Sequence, residues 1–116
     1  MTDGRKDDGA KARWDLLPSD ALEEVAKVMT HGAKKYSARN WEKGMAWSRP
    51  FAAMMRHAWS WWRGETIDPE TGLSHMAHVT CNALFLLAYE RRKMDLHDDR
   101  ERLSQRDDRA LVSKGE

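Results

Sequence analysis

Ala21-Leu22-Glu23-Glu24-Val25-Ala26-Lys27-Val28-Met29 is the stretch that decides the fold class. Leu22, Val25, Ala26, Met29 and, one turn on, Ala33 recur at helical spacing, while Glu23, Lys27 and Lys34 fall opposite, so the segment is an amphipathic helix. Pro18-Ser19-Asp20 gives its start and Tyr36-Ser37-Ala38-Arg39-Asn40 its end. Further along, residues 44–50 read as loop, with Pro50 suited to the first turn of a second helix over residues 51–63 that Gly64 closes. Asp68-Pro69-Glu70 has the form of an Asp cap with Pro in the first turn, leading after Gly72 into a third helix over residues 73–89. No stretch alternates at period two for long enough to make a strand. The expectation is an all-α, compact helical bundle with three core helices and a charged, helical or frayed C-terminal extension.

The organisation follows composition. Residues 13–90 hold all six tryptophans and the single cysteine of the 116-residue chain and form one domain-sized body. Residues 1–12 are charged and small, with almost nothing to bury, and read as a flexible tail. Residues 91–116 mix both charge signs with few aliphatics and read as a charged extension. A formal net charge of +1 lacks the basic excess that sequence-independent nucleic-acid binding requires. No apolar run approaches a membrane span and the first residues lack a secretory stretch, so a cytoplasmic location is expected. Cys81 lies in the apolar run 79–87, where a buried, inert thiol is the usual state. Trp59, Trp61 and Trp62, in the middle of the second helix, are expected to fill the core.

Polar residues cluster where a packing core has little use for them. His75 and His78, spaced i and i+3, share a helical face with Asn82 one turn on, and His57, Trp61 and Glu65 follow at steps of four on the preceding helix. Glu65-Thr66-Ile67-Asp68 adds two carboxylates at the junction. Such groups are costly to bury unless paired, and together they can surround a cation. Hard ions such as Mg²⁺ prefer carboxylate oxygens, while histidine shifts preference toward Mn²⁺ or later metals. Asp68 alone serves equally well as a helix cap. A second constellation, Gly32-Ala33-Lys34-Lys35-Tyr36 with Arg39-Asn40-Trp41-Glu42-Lys43, mixes cations that neutralise phosphate with an aromatic that stacks on a base and an amide that reads its edge. Lys34 and Lys35 also suit the helix dipole as ordinary C-terminal charges. Glu24, His31 and Lys35 share a stripe that can border a pocket.

The order Asp15-Leu16-Leu17-Pro18, Ala21-Leu22-Glu23-Glu24, Gly32-Ala33-Lys34-Lys35-Tyr36, Asn40-Trp41, Arg56-His57, Gly64-Glu65, Asp68-Pro69-Glu70, Gly72-Leu73, His75-Met76-Ala77-His78 and Asn82-Ala83 resembles the phage-type dATP/dGTP diphosphohydrolases, including the MazZ proteins. That group is similar to the MazG-like all-α nucleoside triphosphate pyrophosphohydrolases, whose usual metal signature is Glu-x-x-Glu on one helix and Glu-x-x-Asp on the next. This chain departs from it: Lys27 stands where a second carboxylate would follow Glu24, and His75-x-x-His78 stands where an acidic pair is expected. The resemblance implies cleavage of a purine deoxynucleoside triphosphate between its α and β phosphates, releasing pyrophosphate and dAMP or dGMP. It implies divalent ions, Mg²⁺ or Mn²⁺, held by Glu65, Asp68, Glu24 and the His75/His78 pair, with Glu65 central to catalysis. His57, or one of His75 and His78, would take the proton from the attacking water. Lys34, Lys35 and Arg56 would grip phosphates, and Asn40, Trp41 or Asn82 would face base or sugar. A homo-oligomer, dimer or tetramer, is implied, as is editing of the nucleotide pool for 2-aminoadenine DNA synthesis.

Two other classes compete. A non-catalytic helical oligomeric binding module would use the same histidines and carboxylates as interhelical contacts and show no turnover. A single-strand binder built on residues 34–43 would need a strongly asymmetric surface at this net charge.

Overall fold

A computed structural model describes residues 3–102 of the chain. It contains three α-helices, α1 (Ser19–Lys35), α2 (Ser48–Trp62) and α3 (His75–Arg91), with short 3-10 turns at Trp14–Leu16, Asn40–Lys43 and Asp95–His97. The all-α expectation holds: among the described residues the sole β feature is an isolated bridge between Ile67 and Ser74.

The core is small and lies mainly between α1 and α3. Val25 and Val28 of α1 are buried against Ala77 and Cys81 of α3, with Met29, Leu73 and Phe85 packed around them. Two small side chains on α3 let α1 approach closely, and each valine removed from water contributes on the order of 2 kcal/mol. The buried face of α1 is turned slightly from the one its sequence spacing suggests, since Leu22 is exposed and Val28 is inside. α2 packs along the length of α3.

The three adjacent tryptophans of α2 are not in the core, contrary to expectation. Trp59, Trp61 and Trp62 are 51%, 42% and 73% exposed, and the buried indole is Trp47, just before the helix. The reason is helical phase. His57 is partly covered on the side of α2 that meets α3, so residues 51, 55, 59 and 62 form a stripe on the outside.

The start of α3 also differs from the sequence reading. Its cap is Ser74, whose hydroxyl accepts the Met76 N–H at 3.1 Å. Asp68 instead closes a tight turn, accepting the Glu70 N–H at 3.1 Å and the Thr71 hydroxyl at 3.2 Å. Gly72, at φ +74, completes it and donates its N–H to the Asp68 carbonyl at 2.7 Å. A side chain there would be strained, so glycine is required. The His75 N–H then reaches back to the Thr66 carbonyl at 2.9 Å. The loop therefore lays the Asp68 carboxylate beside the first turn of α3.

Residues 3–13 are exposed and contain no helix. Beyond α3, the first part of the charged extension folds back on the loop before α2. The Trp47 N–H donates to the His97 carbonyl at 3.1 Å, and a Cβ on Gly44 (φ +87) would stand 2.8 Å from the His97 ring. Residues 103–116, which complete the expected extension, lie outside the described residues.

Candidate active site

His57 on α2, Asp68 in the turn and His78 on α3 each offer one donor atom, and the three atoms lie within 4.8 Å of one another. Asp68 and His78 are buried and His57 is half-buried. The His57 and His78 rings stack with centroids 4.3 Å apart and planes 7° from parallel. His78 Nε2 is 2.8 Å from the Thr71 hydroxyl and 3.4 Å from Asp68 Oδ2. Behind His57 stands a second layer: its Nδ1 is 2.9 Å from Nδ1 of the buried His75, whose Nε2 is 2.7 Å from Glu65 Oε1.

Burial and hydrogen bonding set the charge of these groups. Burial pushes both imidazoles below the ordinary histidine value, with the neighbouring histidine charges adding to the effect and Asp68 opposing it. Burial pushes the Asp68 carboxyl up, but the Glu70 N–H, the Thr71 hydroxyl and the two histidines outweigh it and hold the group below the usual carboxylate range. At neutral pH the centre is thus two neutral imidazoles and one carboxylate, the protonation states a divalent metal requires. These donors could share one ion once one of the stacked His57 and His78 rings turns, because a metal lies in the plane of each imidazole it binds.

The three residues open into a cavity of about 850 Å³. Lys35, Arg39, Arg56 and Arg92 contribute cations to its lining. Trp41 and Phe85 form an aromatic wall, stacked at 5.1 Å and 20°. The Arg92 guanidinium lies over the Trp41 ring at 5.0 Å, and the buried Tyr89 donates its hydroxyl to the Trp41 carbonyl at 2.8 Å. Asn40 and Asn82 are also in the lining; the Asn82 amide donates to the His78 carbonyl at 2.9 Å.

The structure therefore brings Lys35, Asn40, Trp41, Arg56, His57, Asp68, His78 and Asn82 around one space. Four expected site residues fall outside that lining. Glu24 pairs with Lys27 at 2.8 Å on an exposed part of α1, and Lys34 is exposed at the end of that helix. Glu65 and His75 form the outer layer just described. Thr71, Phe85 and Arg92 escaped the sequence reading. Phe85 was legible in principle, since residues 78, 82, 85 and 89 repeat at helical spacing, whereas Thr71 acts through a turn that no periodicity announces.

No solved structure matches this chain. A dATP/dGTP diphosphohydrolase of Salmonella phage PMBT28 is 36% identical over 83 residues, covering 72% of this chain and 28% of that protein. The match thus spans little more than a quarter of that relative's length. The pattern described as "dATP/dGTP diphosphohydrolase, N-terminal" extends over residues 1–100, from the tail through the three helices to the returning segment, and the chain belongs to that family.

Proposed function

We propose that this chain hydrolyses purine deoxynucleoside triphosphates, dATP or dGTP, between the α and β phosphates to give a deoxynucleoside monophosphate and pyrophosphate. One observation carries the reading: a His/Asp metal-type centre, four cations and a stacked aromatic wall all line a single nucleotide-sized cavity. The family membership and the name of the phage relative support the same substrate class.

Each group has a part. Lys35 and Arg56 would meet the phosphate chain, with Arg39 and Arg92, paired to Glu42 at 3.1 and 3.5 Å, beside them; guanidinium forks match phosphate oxygens in pairs. Trp41 and Phe85, stacked on each other, offer aromatic surface that a purine would meet by displacing Arg92 from the Trp41 ring, and Asn40 and Asn82 offer amides for base or sugar. His57, Asp68 and His78 would hold a divalent ion, which when bound supplies Lewis-acid stabilisation of phosphoryl charge and a more acidic water. Release of dGMP and removal of dATP would suit pool editing for 2-aminoadenine DNA.

Association of copies is part of the proposal. Phe51, Met55, Trp59 and Trp62 on α2, with Met76, Leu84 and Leu87 on α3, are all exposed and uncharged. Met55, Trp59, Trp61, Trp62 and Met76 share one shallow hollow, and a second copy of this chain is the occupant its lack of charge would suit.

The test is direct. Purified protein is incubated with each dNTP and NTP, with Mg²⁺, Mn²⁺ or EDTA, and the products are separated by anion exchange. Monophosphate plus pyrophosphate from dATP or dGTP, abolished by EDTA, is expected. No product under any condition would favour the non-catalytic binding module.

A further inference from the structure

We infer that Glu65 and His75 form an outer pair that fixes the nitrogen His57 offers to a metal, and that the resulting centre takes a first-row transition ion in preference to Mg²⁺. The inference rests on the metal-centre reading above.

The proton positions follow from the bonding partners. The Glu65 carboxylate is an acceptor only, so His75 Nε2, 2.7 Å away, carries a hydrogen. The proposal assigns one hydrogen to each ring, so that His75 Nδ1 accepts and His57 Nδ1, 2.9 Å away, donates. That leaves His57 Nε2 with the free lone pair. A ligand imidazole held by its other N–H is the usual arrangement around metals, where the outer partner sets tautomer and orientation. Here the outer partner is a second imidazole, backed in turn by a carboxylate. This accounts for His75, a ring only 4% exposed that is absent from the cavity lining yet has both nitrogens engaged.

Donor chemistry sets the ion. Two imidazole nitrogens and one carboxylate oxygen are a poor set for Mg²⁺, which demands oxygen and dehydrates reluctantly. The same set suits Mn²⁺ and, further along the affinity order, Zn²⁺. The other carboxylates nearby are engaged: Glu24 is held by Lys27 and Glu65 by His75, and in the cavity lining Glu70 pairs with Lys35 and Glu42 with Arg39 and Arg92.

Calorimetric titration of the metal-free full chain with MgCl₂, MnCl₂ and ZnCl₂, without nucleotide, tests both parts, with Co²⁺ visible absorption as a readout of coordination. Zn²⁺ should bind tightest, and Mn²⁺ at least roughly ten-fold more tightly than Mg²⁺. Glu65→Gln, at a half-exposed position that leaves the fold intact by circular dichroism, should weaken Zn²⁺ binding by roughly 10–100-fold. His57→Ala should abolish the Co²⁺ absorption. Mg²⁺ binding as tight as Mn²⁺ overturns the selectivity; unchanged affinity in Glu65→Gln overturns the outer pair; an unchanged Co²⁺ spectrum in His57→Ala, or no metal binding at all, overturns the centre. A chain that binds metals as expected but cleaves no nucleotide overturns the hydrolase reading alone.

Discussion

Asp99 closes on Ser48 from 51 positions along the chain, accepting its backbone N–H at 2.9 Å and its hydroxyl at 2.5 Å. The first N–H groups of a helix have no partner within it, and Trp47 at the cap position supplies no side-chain acceptor. A residue after α3 therefore caps α2. Asp99→Ala should lower the melting temperature by a few degrees, and truncation after Met94 should lower it further by also removing the His97 carbonyl that receives the Trp47 N–H. Thermal unfolding followed by circular dichroism measures both. Identical melting curves for the wild type and Asp99→Ala would show that the cap contributes nothing.

Tyr89 joins the fold to the cavity wall. It is completely buried, and its hydroxyl holds the Trp41 carbonyl at 2.8 Å. Tyr89→Phe removes that bond while keeping the ring, at a cost of about 1 kcal/mol in stability. If the proposed hydrolysis holds, the aromatic wall should then be less well held, so KM for the purine nucleotide rises more than kcat falls. A fall in kcat at constant KM would place Tyr89 closer to the chemistry than the geometry does.

Metal-free stability should fall on mild acidification. Burial holds His57 and His78 below their ordinary value near 6.5. Below about 6.5 the unfolded chain takes up protons that the folded rings refuse, so stability is full above that pH and declines as pH drops toward the folded values. In EDTA, the urea midpoint should be higher at about pH 8 than at about pH 5.5, and His57→Gln should remove part of the difference. A midpoint that rises on acidification would contradict the sign.

Cys81 should be chemically silent in the folded protein. Burial pushes its thiol up to about 11, and it packs against Val25 and Val28 between α1 and α3. Ellman's reagent at about pH 8 should react only after denaturation, since the thiolate is the reactive form. Rapid labelling of the native chain would mean that the thiol is reached through the cavity it borders or by opening of the α1–α3 contact.

Helix content was legible because periodicity and punctuation agree: Pro18, Gly64 and the stripe through Val25 each mark an element that the structure contains. Side-chain destinations were less so. Asp68 reads equally as cap, turn former or ligand, and only the close approach of residues 66 and 75 makes it a turn former beside His78. Glu65 and Asp68 look like one acidic pair in sequence, yet the turn between them sends one carboxylate to His75 and places the other beside His78. The tryptophans of α2 misled for a related reason. Aromatic content signals burial somewhere, but it does not say which side of a helix meets its neighbour, and His57 on the covered side leaves Trp59 and Trp62 on the outer face.

That face supplies the last prediction. Met55, Ala58, Trp59, Trp61, Trp62 and Met76 line a second, shallower hollow of about 350 Å³. The α2 stripe of Phe51, Met55, Trp59 and Trp62 carries no charge of its own, although Arg63 reaches over the Trp59 ring at 5.8 Å. If a second copy covers this surface, Trp59→Lys buries an unpaired charge in the interface and should convert the oligomer to monomer, at a penalty of several kcal/mol. Trp59→Phe should keep it associated, because a ring still fills the space. Light scattering on the eluting peak distinguishes the species, and circular dichroism shows that the monomer remains helical. A wild-type chain that elutes as a monomer at every concentration would assign the face to a different occupant.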